Sequence, residues 1–422
     1  MGESEAHRTV EAVWRIESGR VIAGLAALVR DVGQAEELAQ DALVAALETW
    51  PREGVPANPG AWLMTVAKRR AIDALRRRQT QERKVAELGR DLGTEEFTPD
   101  FDAAFEERIE DDLLRLIFVA CHPVLSPIAR AALTLRLVGG LTTAEIARAF
   151  LTTEATVGQR ITRAKQTLTT ARVPFEVPGP AERAERIDSV LEVIYLIFNE
   201  GYSATAGDDW MRPALSQEAL RLARILQGLM PDEPEVHGLA ALLEIQASRT
   251  AARTGPDGEP VLLNDQDRSR WDQLLIRRGL AALDRARALG GTPGPYALQA
   301  EIAACHARAR TPDRTDWARI AALYADLARA VPSPVVELNR AVAVSFADGP
   351  AAGLELARAL TEEPALANYH LLPSVLGDLL AKLGRHDEAR AEFERAASLT
   401  GNARERALLL DRAAASTGLK KS

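Results

Sequence analysis

Apolar residues recurring three and four positions apart are the feature that most constrains the fold of this chain. In QAEELAQDALVAALETW (34–50) they follow this spacing, and the positions between them carry mainly acidic side chains. Such a pattern is typical of an amphipathic helix with one face in a core. Runs that alternate β-branched and polar residues are scarce. The sequence therefore predicts an all-α protein.

Segments rich in proline, glycine or acidic residues divide the 422 residues, which are too many for one core. We predict a first helical module at 7–79, a linker at 80–105, a second module at 106–173 and a helical-repeat domain at 182–417. Within the first module, PREGVPANPG (51–60) has three prolines and two glycines. It is predicted to be a loop between two helices.

The composition excludes several classes of protein. Cys121 and Cys305 lie far apart and form neither a disulfide framework nor a metal-binding spacing. The N-terminus is charged, and no apolar run approaches the ~18 residues that span a bilayer. No phosphate loop, nucleophile motif or dinucleotide turn is present. We expect a cytoplasmic protein that is not an enzyme, has no cofactor or metal and does not bind membranes.

A basic helix is predicted at AWLMTVAKRRAIDALRRR (61–78). Six of its residues are Lys or Arg and only Asp73 is acidic, although the chain carries a net charge of −8. The positions expected to face a core are Leu63, Val66, Ala67, Ala71 and Ala74. The basic side chains then project elsewhere, where they suit a phosphate backbone or are simply solvated.

A helix-turn-helix is predicted within LTTAEIARAFLTTEATVGQRITRAKQTL (141–168). Thr143 is expected to cap a helix through Phe150, and Thr153 to cap a second helix. The second helix turns Val157, Ile161, Ala164 and Leu168 inward. Its other faces carry residues suited to base and phosphate contacts.

The C-terminal half reads as four or so irregular helix pairs of the tetratricopeptide (TPR) type. The best match is LGDLLAKLGRHDEARAEFERAASL, where Gly377, Gly384, Ala389, Phe393 and Ala396 fall at TPR offsets. The segments 198–204, 262–272 and 337–344 are polar. Asp265 and Asp267 make a poor metal site because no His stands at ligand spacing. They are expected to cap a helix or to bond an inner loop.

The first 175 residues resemble an extracytoplasmic-function-type sigma factor of bacterial RNA polymerase. AEELAQD (35–41) is similar to the acidic helix of region 2 in that family. Pro59, Trp62, Leu63, Ala67, Asp73 and the arginines 76–78 stand at the positions of its basic run. The end of its region 4 is matched by Thr156, Val157, Arg160, Arg163, Ala164 and Leu168. The remainder resembles the group with a TPR-like tail.

The resemblance implies partners and site residues. RNA polymerase core would bind Glu36, Glu37, Gln40 and Asp41. The minus-ten element of promoter DNA, with a base flipped into loop 51–60, would be held by Arg52, Asn58, Trp62, Lys68, Arg69, Arg70, Asp73, Arg76, Arg77 and Arg78. The minus-thirty-five element would be read by Thr153, Glu154, Thr156, Gln159, Arg160, Arg163 and Lys165. The tail would use Asp265, Asp267, Arg268, Trp271, Asn339 and Arg340 on its concave face or against the sigma domains.

The roles of two of these residues, Trp62 and Arg69, stay open. Trp62 is read either as a stacking platform or, in our preferred interpretation, as a core residue. The family often has Asn where this chain has Arg69. A polar side chain that could contact a base is thus replaced by a longer charged one, so direct base reading at this position stays open.

Three functions compete. The first is a sigma factor with a regulatory tail that inhibits, stabilises or, as we favour, is required for activity. The tail's partner is a peptide, another protein or only its own sigma domains. The second is a stand-alone helix-turn-helix regulator with a TPR sensor. The third is a helical scaffold or enzyme whose basic faces are incidental.

Overall fold

The computed structural model of the chain describes residues 3–87, 105–150, 152–202, 211–255 and 259–417. Within these ranges it is all-α, as predicted, with short 3₁₀ turns and one isolated β-bridge between Thr254 and Pro260. The predicted linker 80–105 is wrong for its first residues, because the helix that begins at Pro59 continues to Glu87, and residues 88–104 lie outside the described ranges. The α-helices are α1 (Glu3–Val29), α2 (Val32–Glu53), α3 (Pro59–Glu87), α4 (Phe105–Ala120), α5 (Pro127–Leu137), α6 (Thr143–Ala149), α7 (Glu154–Thr170), α8 (Pro180–Tyr202), α9 (Pro213–Leu229), α10 (Pro234–Ala247), α11 (Gln273–Ala288), α12 (Pro295–Arg308), α13 (Trp317–Ala330), α14 (Pro334–Ala347), α15 (Pro350–Ala359), α16 (Leu371–Lys382), α17 (His386–Leu399) and α18 (Ala403–Thr417).

The chain divides into two compact units, Met1–Ile194 and Tyr195–Ser422. The first unit therefore includes the beginning of α8, although the helical-repeat domain was predicted to start at residue 182. Hydrogen bonds explain the difference. Arg186 donates to the carbonyl oxygen of Phe118 at 2.7 Å, and Ser189 donates to that of Cys121. These bonds satisfy carbonyls at the end of α4 that would otherwise lack a partner.

In the first unit, α1 packs against α2, α3 and α4. The predicted core positions Leu63, Ala67 and Ala71 are buried, and Val66 and Ala74 are half-buried. Asp31 caps α2 by accepting a 2.8 Å hydrogen bond from the backbone nitrogen of Gln34.

The loop predicted at 51–60 is shorter in the structure. Helix α2 continues through Pro51 to Glu53, and α3 begins at Pro59, so residues 54–58 alone connect them. Two features extend the helix. Trp50 is 1% exposed and anchors its last turn in the core, and the N–H of Gly54 closes that turn on the Trp50 carbonyl at 3.0 Å. Gly54 has a φ of +91°, which suits glycine at a helix end.

The helix-turn-helix consists of α6 and α7, and one predicted cap is wrong by one residue. Thr142, not Thr143, caps α6, because Thr142 and Glu145 form a reciprocal capping box. Its two bonds to backbone nitrogens measure 3.1 and 2.8 Å. Thr153 caps α7 as predicted, through a 3.2 Å bond from the Thr156 nitrogen. The four inward positions predicted for α7 are all buried.

In the second unit, the helices from α9 to α18 pack mainly against their neighbours in the chain. The pair α16 and α17 confirms the spacing read from the sequence. Ala389, Phe393 and Ala396 are buried, and a Cβ atom on Gly377 would lie 2.8 Å from the Phe393 ring. Only glycine allows this close approach. That the whole array is TPR-like stays a prediction. Among the described helices, none has an apolar stretch long enough to cross a bilayer.

Candidate functional site

The basic face of α3 is accessible. Arg69, Arg76 and Arg77 are exposed, and Lys68 and Arg70 are half-buried. Asp73 is exposed, and its backbone carbonyl accepts a 3.3 Å hydrogen bond from Arg77. The predicted residue Arg78 lies outside the side chains that the structure describes. Closely spaced cations of this kind create the local positive potential that a phosphate backbone needs.

The segment 54–58 contains one predicted minus-ten residue, Asn58, and is flanked by two others, Arg52 and Trp62. Arg52 is exposed at the end of α2. Asn58 is exposed and caps α3, because its side-chain oxygen accepts a 3.1 Å hydrogen bond from the Ala61 nitrogen. Trp62 is half-buried and meets Trp50 edge to face, with ring centroids 5.5 Å apart. Trp50 is thus the core tryptophan, and Trp62 belongs partly to the core and partly to the surface.

The accessible face of α7 carries most of the predicted minus-thirty-five residues. Those exposed are Thr153, Glu154, Thr156, Gln159 and Arg163, with Arg160 half-buried. The side chains of Gln159, Arg160 and Arg163 line a cavity of about 330 Å³ between α7 and the start of α5. The N-terminal residues of α7 are therefore free of core packing, which a recognition helix requires.

Glu36 behaves differently from the other acidic residues of α2. Glu37 and Asp41 are exposed and Gln40 is half-buried, in agreement with a solvated face. Glu36 is only 5% exposed. One carboxylate oxygen accepts a 2.6 Å hydrogen bond from Arg136 on α5, and the other forms an ion pair with Lys165 on α7. The predicted polymerase residue Glu36 and the predicted DNA residue Lys165 thus bind each other.

Further contacts join the two predicted N-terminal modules within this unit. Arg15 on α1 forms an ion pair with Glu145 on α6. Gly140 has a φ of +68°, and a Cβ atom there would overlap the hydroxyl of Ser18 on α1. Within the first module, Arg70 on α3 lies 3.6 Å from Asp41 on α2. The modules 7–79 and 106–173 are parts of one compact unit in this structure.

The tail residues separate into structural and accessible groups. Arg268 is 8% exposed and donates to the carbonyls of His306 and Ala309 and to the hydroxyl of Thr315, at 3.0, 2.7 and 3.1 Å. Trp271 is 3% exposed. Both stabilise the fold.

The acidic tail residues act locally. Asp267 accepts a 2.9 Å hydrogen bond from the Ser269 nitrogen, so it caps a short 3₁₀ turn as expected, and the bonds from Ser269 lower the pKa of its carboxyl group. Asp265 is exposed, and Asp272 rather than Asp265 caps α11. In the described ranges, no group of three or more His, Cys, Asp or Glu residues is arranged to hold a metal ion.

The two remaining tail residues lie on α14. Arg340 donates to Glu337 at 2.8 Å, which makes it an intrahelical ion pair. Asn339 is exposed and lines a cavity of about 320 Å³ in the second unit.

Sequence reasoning missed two arginines that the structure makes prominent. Arg136 stands alone in the apolar run AALTLRLV, and Arg249 follows the apolar helix α10. Both arginines could have been found from the sequence, because a lone cation beside an apolar run is expected to be buried, and a buried charge needs a partner.

Comparisons with known proteins agree with this geometry. The model of sigma-70 region 2 matches residues 15–81, that of sigma-70 region 4 matches 115–168, and a family of unknown function, DUF6596, matches 186–287. The uncharacterized protein R00370 of Rhizobium meliloti (strain 1021) is 46% identical, covering 90% of this chain and 89% of that protein.

Two further relatives have names that describe their role. The ECF RNA polymerase sigma factor SigK of Mycobacterium ulcerans (strain Agy99) is 30% identical, over 34% of this chain and 74% of that protein. SigK of Mycobacterium sp. (strain KMS) is 29% identical over 34% of this chain and 72% of that protein. Two sigma-70 regions in the family's order, on helices that present the expected cationic faces, show that the chain belongs to the ECF-type sigma-70 family of RNA polymerase sigma factors.

Proposed function

We propose that the protein directs RNA polymerase core to specific promoters and starts transcription, under the control of its own C-terminal tail. The observation that carries this proposal is the pair of accessible cationic helix faces, on α3 and α7, in a chain of net charge −8. Overall acidity weakens binding of the isolated chain to DNA, whereas local cations act once polymerase holds the DNA nearby. Such a protein binds DNA poorly by itself and binds promoters specifically in a complex with polymerase.

At the minus-ten element, the segment 54–58 receives a base flipped out of the melted strand. Trp62 offers a half-buried ring at the edge of this segment, and Arg52 lies exposed at its other end. Extruding a base costs a few kcal/mol, which stacking and backbone contacts offset. Lys68, Arg69, Arg70, Arg76, Arg77 and Arg78 bind the phosphates beside the melted segment.

At the minus-thirty-five element, α7 enters the major groove. The exposed Glu154, Thr156 and Gln159 stand at its N-terminal end, where a recognition helix meets base edges. Arg160 and Arg163 lie one turn further and bind phosphates. Thr153 holds the start of the helix through its cap.

Polymerase binds the acidic face of α2. Glu37 and Asp41 are exposed and offer two carboxylates without rearrangement, with Gln40 between them. Glu36 joins this face only if its bonds to Arg136 and Lys165 break. We infer that the compact first unit is a resting arrangement, and that polymerase binding separates α2 from α5 and α7. The separation frees Lys165 for DNA at the same time.

The tail acts as a domain required for activity, in a cytoplasmic protein. It exceeds half of the chain, and its helices bury apolar faces against their neighbours as repeat arrays do. Removal of the tail, followed by run-off transcription, tests whether the tail is required. The boundary between the two units is a better place to end the shortened chain than the end of region 4. A chain ending at Ile194 keeps the bonds from Arg186 and Ser189 to α4, whereas one ending at residue 178 loses them.

Run-off transcription with core polymerase tests the proposal. A promoter-dependent transcript that requires this protein supports it. The absence of any such transcript across genomic promoters contradicts it. The competing function, a stand-alone helix-turn-helix regulator, predicts tight operator binding without polymerase, which a gel shift detects. We do not favour it, because residues 15–81 match sigma-70 region 2 in addition to the match of 115–168 with region 4, and a regulator that uses only the helix-turn-helix does not account for region 2.

A further inference from the structure

A cavity of about 320 Å³ lies in the second unit, among α10, α12, α13 and α14. Most of its walls are apolar, from residues such as Leu242, Ile302, Leu327 and Val336. Its volume is that of a site for a small organic molecule, which is usually apolar with a few polar groups that fix orientation. The polar groups of the lining belong to Tyr195, Gln246, Arg249, Gln299, His306, Tyr324 and Asn339.

Arg249 is the unusual member of this lining. It is 9% exposed, and its Nε atom is buried without a hydrogen-bond partner. Among the residues that the structure describes, no carboxylate forms an ion pair with it. Its guanidinium lies 5.8 Å from the ring centroid of Tyr202 and 5.9 Å from that of Trp271. Buried guanidinium groups in proteins are nearly always paired with an anion, so this one calls for a partner.

The surroundings exclude a cationic or metal ligand. No Asp or Glu side chain lines the cavity. The side chain of His306 is 7% exposed, and burial together with the positive charges of Arg249 and Arg268 lowers its pKa to about 3. It is therefore neutral at physiological pH, which leaves Arg249 as the one formal charge in the described lining.

Unsatisfied atoms surround this charge. The Nδ1 atom of His306 and the Oε1 atom of Gln246 are buried without partners, in addition to Nε of Arg249. Most buried polar atoms in proteins have a partner, so three orphans beside one cavity are unusual. Nε of Arg249 is a donor, and Nδ1 of the neutral His306 is a donor in one of its two tautomers. These two side chains are suited to one anionic group, whereas Oε1 of Gln246 only accepts hydrogen bonds.

We propose that this cavity binds an organic acid, with its carboxylate on Arg249 and its apolar body against α12, α13 and α14. The planar guanidinium matches a carboxylate in a two-point hydrogen bond. The acid is either a small molecule or the C-terminal carboxylate of a peptide with an apolar last residue. Both sources present the same chemistry to Arg249. No described partner within the chain fills the site, so binding is available to an external ligand.

Calorimetric titration of the full chain tests this assignment. The probes are octanoate and phenylacetate, with octanamide and phenylacetamide as neutral counterparts of the same shape. We expect saturable binding of at least one acid, and binding of its amide that is weaker by about tenfold or more, because a charge-assisted bond is lost. A tripeptide ending in Leu, with a free or an amidated C-terminus, distinguishes a small molecule from a peptide. If the natural ligand is the C-terminus of a peptide, the free tripeptide binds more tightly than octanoate and phenylacetate.

Variants locate the binding. Arg249→Gln weakens acid binding by about tenfold or more, whereas Arg277→Gln, the same change at an exposed arginine of α11, leaves it unaltered. Asn339→Trp blocks the cavity from an exposed position, so it abolishes binding even if Arg249→Gln disturbs the fold. Circular dichroism melting confirms that each variant is folded. The proposal is overturned if neither acid binds, if the amides bind as tightly as the acids, or if Asn339→Trp leaves binding unchanged. The test uses no polymerase, so it is independent of the proposed sigma function.

Discussion

Glu36 on α2 and Lys165 on α7 form an ion pair, with Arg136 as a second cation on the same carboxylate. The sequence assigns Glu36 to polymerase and Lys165 to promoter DNA. In the compact first unit Glu36 and Lys165 are therefore bound to each other, and neither is available to its proposed partner. Glu36 is 5% exposed, so solvent screens the pair weakly.

Replacing Glu36 by Gln is expected to lower the free energy of unfolding of the first unit by about 3 kcal/mol, because it leaves two cations beside a neutral side chain. Urea unfolding measures this change. The matched control is Glu37→Gln, which alters an exposed neighbour and is expected to change stability by less than about 0.5 kcal/mol. Equal effects of the two variants would show that the pair does not hold the unit together.

Lys165→Met is expected to make the resting arrangement easier to open. If polymerase binding requires that opening, the variant binds core polymerase more tightly than the natural chain, while its transcription from a promoter that needs the minus-thirty-five contact is reduced. Fluorescence anisotropy and run-off transcription measure the two effects separately. Weaker polymerase binding by Lys165→Met would mean that the compact arrangement is the one that polymerase recognises.

Charge on α3 is expected to govern the salt dependence of promoter binding. Each phosphate contact that is lost reduces the slope of log affinity against log salt by about 0.9. The double variant Arg76→Ala and Arg77→Ala should therefore flatten the slope of the polymerase complex by up to about 2 and reduce transcription. Arg314→Ala and Arg277→Ala, two exposed arginines of the tail, serve as the control pair and should leave the slope as it is.

Two buried arginines of the tail are expected to respond oppositely to the same substitution. Arg268 makes three hydrogen bonds, so Arg268→Met should lower the free energy of unfolding by about 3 kcal/mol or more. Arg249 has no partner for its charge, so Arg249→Met should leave stability unchanged or raise it. Thermal melting of the unliganded chain compares them. A large loss of stability in Arg249→Met would assign that residue a structural role.

The stability of the second unit is expected to fall as pH decreases below 6.5. His306 is neutral in the folded chain, where its pKa is lowered to about 3 by burial and by Arg249 and Arg268. Between these two pH values the unfolded chain binds a proton that the folded chain does not, so stability declines by up to about 1.4 kcal/mol per pH unit. His306→Gln removes this contribution, and the difference between the two pH profiles of urea unfolding isolates it from the carboxylates.

The sequence predicted the helices well because their apolar positions, caps and breaks are local signals. The inward face of α7 and the caps at Asp31 and Thr153 needed no tertiary information. The cap at Thr142 was misplaced because two threonines stand side by side, and the choice between them depends on the bond from Glu145. Helix α2 passed the predicted boundary at Pro51 because burial of Trp50 outweighs the cost of a proline in the last turn.

The site was harder to predict where it depends on contacts distant in the chain. Glu36 lies at the edge of the apolar stripe of α2, so periodicity assigned it to solvent, and only the approach of Arg136 from α5 buries it. The partial burial of Trp62 also depends on a contact, with Trp50 on the preceding helix. The cavity around Arg249 is formed by helices far apart in sequence, and its orphan atoms exist only in the folded unit.

Association with core RNA polymerase, followed by run-off transcription, tests the central claim most directly. We predict that the full chain binds the core enzyme of its own organism and yields promoter-dependent transcripts, and that substitutions on α3 and on the exposed face of α7 each reduce them. The claim would be contradicted if the folded protein failed to bind the core enzyme, or if transcripts were unchanged when both cationic faces were neutralised.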